Sequence, residues 1–220
     1  MNNLEQEISG LKRELLKMFQ LVEKQWRKSS IAILEFDQDI AEEISSTENR
    51  VNAMEIAIDR ECENILALLS PVAIDLRFVL SAYKINHELE RVADIADSIA
   101  NYVSNNQTAY PSKVVAELNL EDMLNQLLSM LSDISDAFEY EDTKIARKIF
   151  KKDKKLNQYN AEATSIILNN MDDFERENLM YLLSTIRKIE RAGDSIKNIG
   201  EEIIFHQEAR IVKHKKADKK

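Results

Sequence analysis

The sequence predicts an all-α fold, and three observations carry that prediction. Its 220 residues include only three glycines and two prolines, against usual shares of about 7% and 5%. So few turn-forming residues leave almost no room for hairpins or a multi-stranded sheet. Leu, Ala, Glu, Lys, Ile and Met fill the long segments, and most of these are good helix formers. The third observation is a repeat. Glu90-Arg91-Val92-Ala93-Asp94 returns as Glu190-Arg191-Ala192-Gly193-Asp194, so one domain-sized unit of about 100 residues occurs twice.

Six helices follow in order. Leu4, Ile8, Leu11, Leu15, Met18 and Val22 recur at helical spacing, which puts one apolar stripe on a first helix reaching about Phe36. Val51, Met54, Ile58, Cys62, Ile65 and Leu69 line a second helix. Cys62 sits within that stripe and reads as a small core residue. Ser70-Pro71 ends the second helix. Serine suits an N-cap and proline the first helical position, so a third helix starts there and continues to about Asn101. The polar run from Asn105 to Ser112 separates the copies. A fourth helix is expected from about Lys113 to Phe138 and a fifth from about Glu141 to Asn169. Asn170 to Asp173 is a tight connection, and a sixth helix then extends to about Ile211. The expected architecture is two tandem antiparallel three-helix bundles, residues 1–104 and 113–212. Residues 213–220 form a basic tail with five lysines and His214 against Asp218. It reads as a solvated terminus, with contact to an anionic membrane surface or an acidic partner as the alternative.

Composition narrows the function classes. A single cysteine excludes an intramolecular disulfide and a cysteine-based zinc cluster. No apolar run approaches the roughly 20 residues that span a bilayer, and the first residues do not form a signal peptide, so a soluble cytoplasmic protein is expected. The net charge of −9 opposes nonspecific nucleic-acid binding, which depends on neutralising phosphates. Neither a nucleophile with a base at workable spacing nor a glycine-rich phosphate cradle is found, which points away from an enzyme. Trp26 and Tyr83 lie near helical stripes and read as packing residues.

Carboxylates carry the functional signal. On the third helix, His87, Glu90, Asp94, Asp97 and Asn101 lie opposite the apolar stripe, so three carboxylates share one exposed face. Their mutual repulsion costs a few tenths of a kcal/mol per pair, and only Arg91 is close in sequence. A cation is expected there. On the sixth helix, Glu190, Asp194, Asn198 and Glu201 form a comparable stripe. Arg187, Arg191 and Lys197 each lie three residues from a member of it and offer ordinary salt bridges. Folding the second helix back near residue 70 brings Glu48 and Asn52 level with positions near 92 and 88. Folding back near residue 172 brings Asp153 and Asn157 level with positions near 191 and 187. Oxygen ligands without cysteine suit hard cations such as Mg²⁺, Mn²⁺ or iron. No Glu-x-x-His pair occurs, which opposes a ferritin-like di-iron core. From spacing alone, solvated salt-bridged faces and metal sites both remain open, the former being the commoner.

Pro71-Val72-Ala73-Ile74-Asp75-Leu76-Arg77, Lys84 and Glu88 to Asp94 together resemble the PhoU family of phosphate-signalling regulators. Ile189 to Glu201 is similar to that family's Leu-Glu-Arg-Ile-Gly-Asp-x-Ala-x-Asn-Ile-Ala-Glu signature. The resemblance implies two tandem three-helix bundles with metal ions, sometimes multinuclear, on their outer faces. Glu90, Asp94, Glu190 and Asp194 match its Glu/Asp-x-x-x-Asp motifs. Where the family has a second acidic pair on the neighbouring helix, this chain has Glu48 with Asn52 and Asp153 with Asn157. The first copy departs further, with Ala93, Ser98 and Asn101 in place of glycine, asparagine and glutamate, and Asp97 as a compensating carboxylate. Iron, zinc, manganese and magnesium are the candidate ions, with the identity left open. The implied role is a non-enzymatic homodimeric adaptor between the ATPase subunit of a phosphate ABC transporter and a sensor histidine kinase. It would reach the membrane only through those partners, restrain uptake and keep the phosphate-starvation response off when phosphate is plentiful. A structural bundle that scaffolds or dimerises without a metal is the alternative, and a metal-dependent phosphohydrolase a distant third.

Overall fold

The computed structural model describes residues 3–212, and every regular element among them is a helix. There are seven: α1 (Asn3–Glu35), α2 (Gln38–Leu69), α3 (Ala73–Asn105), α4 (Ser112–Glu117), α5 (Leu120–Glu139), α6 (Thr143–Asn169) and α7 (Arg176–Glu208). The basic tail expected at 213–220 lies outside the described residues.

The two copies turn their first corners by the same device. A left-handed residue, Phe36 or Glu141, ends one helix, and the aspartate after it caps the next. Asp37 accepts a hydrogen bond from the Ile40 amide at 3.0 Å. Asp142 accepts from the Lys144 amide at 2.7 Å. Each cap satisfies an amide that the first helical turn would leave without a partner.

Two expectations need correction. Ser70 is not the N-cap of α3. It adopts φ 46° and ψ 55° and closes α2 as a left-handed C-cap, while α3 begins at Ala73 after an extended Val72 that offers no side-chain cap. One residue cannot hold both the left-handed conformation of a C-cap and the extended conformation of an N-cap. The single fourth helix is instead two, broken at Asn119 with φ 52° and ψ 41°. Leu118 and Leu120 explain the break, because both are buried. Residues two apart on a continuous helix point about 200° away from each other, so an unbroken helix would expose one of them. Asparagine tolerates the left-handed conformation better than most residues. The third helix also runs on to Asn105, and the last ends at Glu208 rather than near Ile211.

One apolar cluster runs through both copies. Within the first, α1 is tied to α3 by polar bonds as well as packing. The Trp26 indole donates to the Val92 carbonyl at 2.8 Å, and Ser29 donates to the Ala96 carbonyl at 3.1 Å. Cys62 is buried in its stripe, and burial pushes its thiol pKa up to about 12.

Between the copies, α3 and α7 lie side by side and antiparallel. Lys84 pairs with Glu202 at 3.2 Å, the Asn198 amide donates to Glu88 at 2.9 Å, and Lys188 donates to the Ser98 hydroxyl at 2.7 Å. Positions 88 and 188 correspond in the repeat, as do 98 and 198. The last two bonds are therefore reciprocal, as a local two-fold relation between the copies requires. Further along, Phe19 and Phe78 lie 5.3 and 6.4 Å from Phe138, and Lys12 pairs with Glu141 at 2.6 Å.

Candidate metal-binding faces

The first face lies along the groove between α2 and α3. These helices run antiparallel in a register set by Ser45, which donates to Asp97 at 2.9 Å, and by His87, whose Nδ1 lies 2.8 Å from Glu55. That register puts Glu48 opposite Asp94 and Asn52 opposite Glu90, within one helical turn of the levels read from the sequence. Glu48 is partly buried and accepts a hydrogen bond from the buried Gln25 amide at 2.8 Å. Desolvation raises its pKa above the ordinary carboxylate value, and the charges of Asp97, Asp94 and Glu55 add to the rise, while the Gln25 bond opposes it. Glu90 is raised in the same way, first by burial and then by Glu55, Asp94 and Glu48. Asp97 also accepts from Asn101 at 2.9 Å.

Among the described residues, none of Glu48, Glu90, Asp94 and Asp97 forms an ion pair with a lysine or arginine. Lys188 comes near enough for the Asp94 charge to act on its pKa, but its ammonium is bonded to Ser98. Oxygen donors that crowd together without a lysine or arginine to pair them fit a hard cation, which would take up the charge they share.

The groove extends further than the sequence reading allowed. Glu55 and Asp59, one turn apart on α2, meet His87 on α3, and their ligand atoms lie within 4.8 Å of one another. Asp59 accepts from the buried Asn86 amide at 2.9 Å. The signal was present as the spacing Glu55-x-x-x-Asp59. Spacing along α2 alone does not show that this pair faces His87, which depends on how α2 and α3 pack.

The second face lies between α6 and α7. Gly193 lets these helices approach closely, since a β-carbon there would stand 2.4 Å from Leu156 Cδ1. Asp153 is only 4% exposed. Its Oδ2 lies 3.1 Å from the Lys197 ammonium and 3.5 Å from the Asn157 amide, and its Oδ1 is buried without a hydrogen-bond partner. Lys197 also bonds Asp194. Burial raises the Asp153 pKa despite the Lys197 charge. Glu190 is raised by burial and then by Asp194 and Asp153. Burial would lower the Lys197 pKa, but the Asp194 bond and the Asp153 charge outweigh it and the net shift is upward. Asp153 thus comes level with Asp194 and Lys197, about one turn beyond the expected position. The connection between α6 and α7 is also longer than a tight four-residue one.

Two predicted members of this face lie elsewhere. Asn198 points across the seam to Glu88. Glu201 lines a separate cleft with Lys84, Glu202, Phe205 and Ile211. The donors present here, with an ammonium already bonded to two of the carboxylates, fit a metal ion poorly.

The family model described as the PhoU domain matches residues 15–103 and 120–203, segments that hold one acidic face each. A relative from Serratia marcescens, named phosphate-specific transport system accessory protein PhoU, is 30% identical over 96% of this chain and 87% of its own length. The crystal structure of the phosphate transport system regulatory protein PhoU from Streptococcus pneumoniae superposes with a TM-score of 0.84 at 30% identity, covering 96% of this chain and 99% of that one. The crystal structure of PhoU from Pseudomonas aeruginosa superposes with a TM-score of 0.85 at 26% identity, over 94% of this chain and all of that one.

Proposed function

This chain belongs to the PhoU domain family, and on that premise we propose that it regulates phosphate homeostasis as an accessory of a phosphate transport system. The observation that carries this reading is the match of both copies, over nearly the whole chain, to relatives named for that role. The finer reading is an adaptor without catalytic activity, held in the cytoplasm and docking on the transporter's ATPase subunit and on a sensor histidine kinase. A homodimer is the working assembly in this reading. Two features support attachment through partners: no helix of the described residues is long and apolar enough to cross a membrane, and the net charge is −9.

The first acidic face is the cation site in this reading, with iron, manganese, zinc or magnesium as occupants. Glu48, Glu90, Asp94 and Asp97 would hold the ion, with Asn52 as a neutral oxygen donor and Glu55 and Asp59 in the same groove. The ion supplies positive charge that offsets the repulsion between α2 and α3. The residues themselves orient the donors. Gln25 fixes Glu48, and Ser45 and Asn101 fix Asp97. The metal-free scaffold reading is favoured only at the second face, where Lys197 provides salt bridges.

Deleting the gene tests the regulatory role. Phosphate-starvation genes should be derepressed in phosphate-rich medium, and a plasmid copy should restore repression. Unchanged reporter expression in the deletion strain, with the sensor kinase intact, would end the adaptor reading.

A further inference from the structure

The repeat relates the two faces residue by residue. Glu48 corresponds to Asp153 and Asn52 to Asn157, as the shared caps Asp37 and Asp142 do. Glu90 corresponds to Glu190, Asp94 to Asp194 and Asp97 to Lys197. Among these five pairs of positions, only the last reverses charge. Where the first face carries a fourth carboxylate, the second carries an ammonium.

That ammonium is placed where it meets the acidic groups. Lys197 Nζ is 3.1 Å from Asp153 Oδ2 and bonded to Asp194, so it bridges α6 and α7 across the groove. Asp153 is nearly buried, and a buried carboxylate left unpaired is costly. Lys197 supplies the missing charge from within the chain. It leaves Asp153 Oδ1 buried and without a partner, a donor that a single ammonium does not reach.

We propose that Lys197 is a built-in counter-cation that closes the second acidic face to metal, so that this chain takes up metal at the first face alone. The proposal rests on reading the acidic faces as cation sites. An ammonium tethered to the site competes with a free ion at every metal concentration. Once displaced it stays nearby and repels the incoming charge. Removing its charge should leave Asp153, Glu190 and Asp194 as an oxygen cluster open to a hard cation, with Asp153 Oδ1 as an additional donor.

The test is Mn²⁺ binding to the full chain by equilibrium dialysis, in an Asp94→Asn background that disables the first face. Lys197→Gln is the main variant, because its amide can still donate to Asp153 and Asp194 without carrying charge. Lys197→Met is the second variant, and circular dichroism checks that each is folded. Asp94→Asn with Lys197→Gln should bind Mn²⁺ at least tenfold more tightly than Asp94→Asn alone. Adding Asp194→Asn should abolish that gain, and Mn²⁺ should raise the melting temperature only of the variants that bind. Lys197→Arg, which keeps the charge, should stay closed. Equal binding with and without the Lys197 charge would overturn the proposal. So would Mn²⁺ bound by Asp94→Asn alone and lost on adding Asp194→Asn, or a Lys197→Arg variant that opens. Comparing wild type with Asp94→Asn reads the first face separately. Equal binding in that pair would sink the first-face reading while leaving the Lys197 comparison readable.

Discussion

Asp94 is the residue on which the first face can be tried most directly. It is exposed, so its loss removes a repulsive charge without opening a cavity. Asp94→Asn should leave the metal-free protein as stable as wild type or up to about 0.5 kcal/mol more stable. It should also abolish most of the stabilisation that a bound cation gives, about 2.7 kcal/mol at a hundredfold excess over Kd. Melting temperatures with and without Mn²⁺, Fe²⁺, Zn²⁺ and Mg²⁺ measure both effects. Glu48 and Glu90 add a pH signature. Their folded-state pKa values are raised, first by burial and then by neighbouring carboxylates. Above pH 4.5 the native state therefore holds protons that the unfolded chain has released, and these groups lose stability as pH rises through their folded values. Glu141 works in the opposite sense, because its hydrogen bond with Lys12 lowers its pKa. Comparing wild type with Glu90→Gln separates the two. The metal-free wild type should gain more stability between pH 7 and pH 5 than the variant does, and equal slopes would refute the burial argument. At this scale the sequence was partly legible. Spacing of three and four found Glu90, Asp94 and Asp97, and an estimate of register found Glu48. His87 was placed on the stripe, but its contacts with Glu55 and Asp59 depend on how two helices face each other. Which of the three basic residues beside the second stripe crosses the groove depends likewise on helix packing, which selects Lys197.

Helices were the most readable elements, because long apolar stripes interrupted by few glycines and prolines leave one solution. Their ends were less so. Ser70 and Asn119 show why: each adopts a left-handed conformation that local sequence permits but does not announce. The pairing of buried Leu118 and Leu120 selects the break at Asn119. Asn119→Ala should cost about 1 kcal/mol, because asparagine eases that conformation through its local amide bond to the Glu117 carbonyl, which alanine cannot make. Asn119→Gly should be nearly neutral. Chemical denaturation of both variants checks this, and an Asn119→Ala protein as stable as wild type would show that α4 and α5 can merge without loss.

The whole molecule is bound together by contacts the repeat could not announce. Tyr102 stacks on Tyr110 at 4.3 Å and donates to Asn178 at 2.7 Å, and Tyr110 bonds Thr185 at 2.8 Å. These join the linker region and α3 to α7. With one apolar cluster shared by both copies, the chain should unfold in a single calorimetric transition whose van't Hoff and calorimetric enthalpies agree. Two separated transitions would show that each copy is stable without the other. The sequence revealed two units but not this dependence, since a repeat states what is duplicated and not which surfaces the duplicates bury.

The reciprocal bonds between α3 and α7 carry a consequence of their own. Contacts that exchange equivalent positions are the mark of an isologous interface, the kind two identical subunits form about a two-fold axis. In such a dimer every contact occurs twice, and equivalent positions must hold the same residue. Joining the halves in one chain lifts that constraint. Position 88 can be glutamate while 188 is lysine, each choosing its own partner across the seam. The connection between α3 and α4 also holds the halves together at any dilution, which an interface between separate subunits cannot do. Asymmetric specialisation of two once-equivalent faces is what such an arrangement permits.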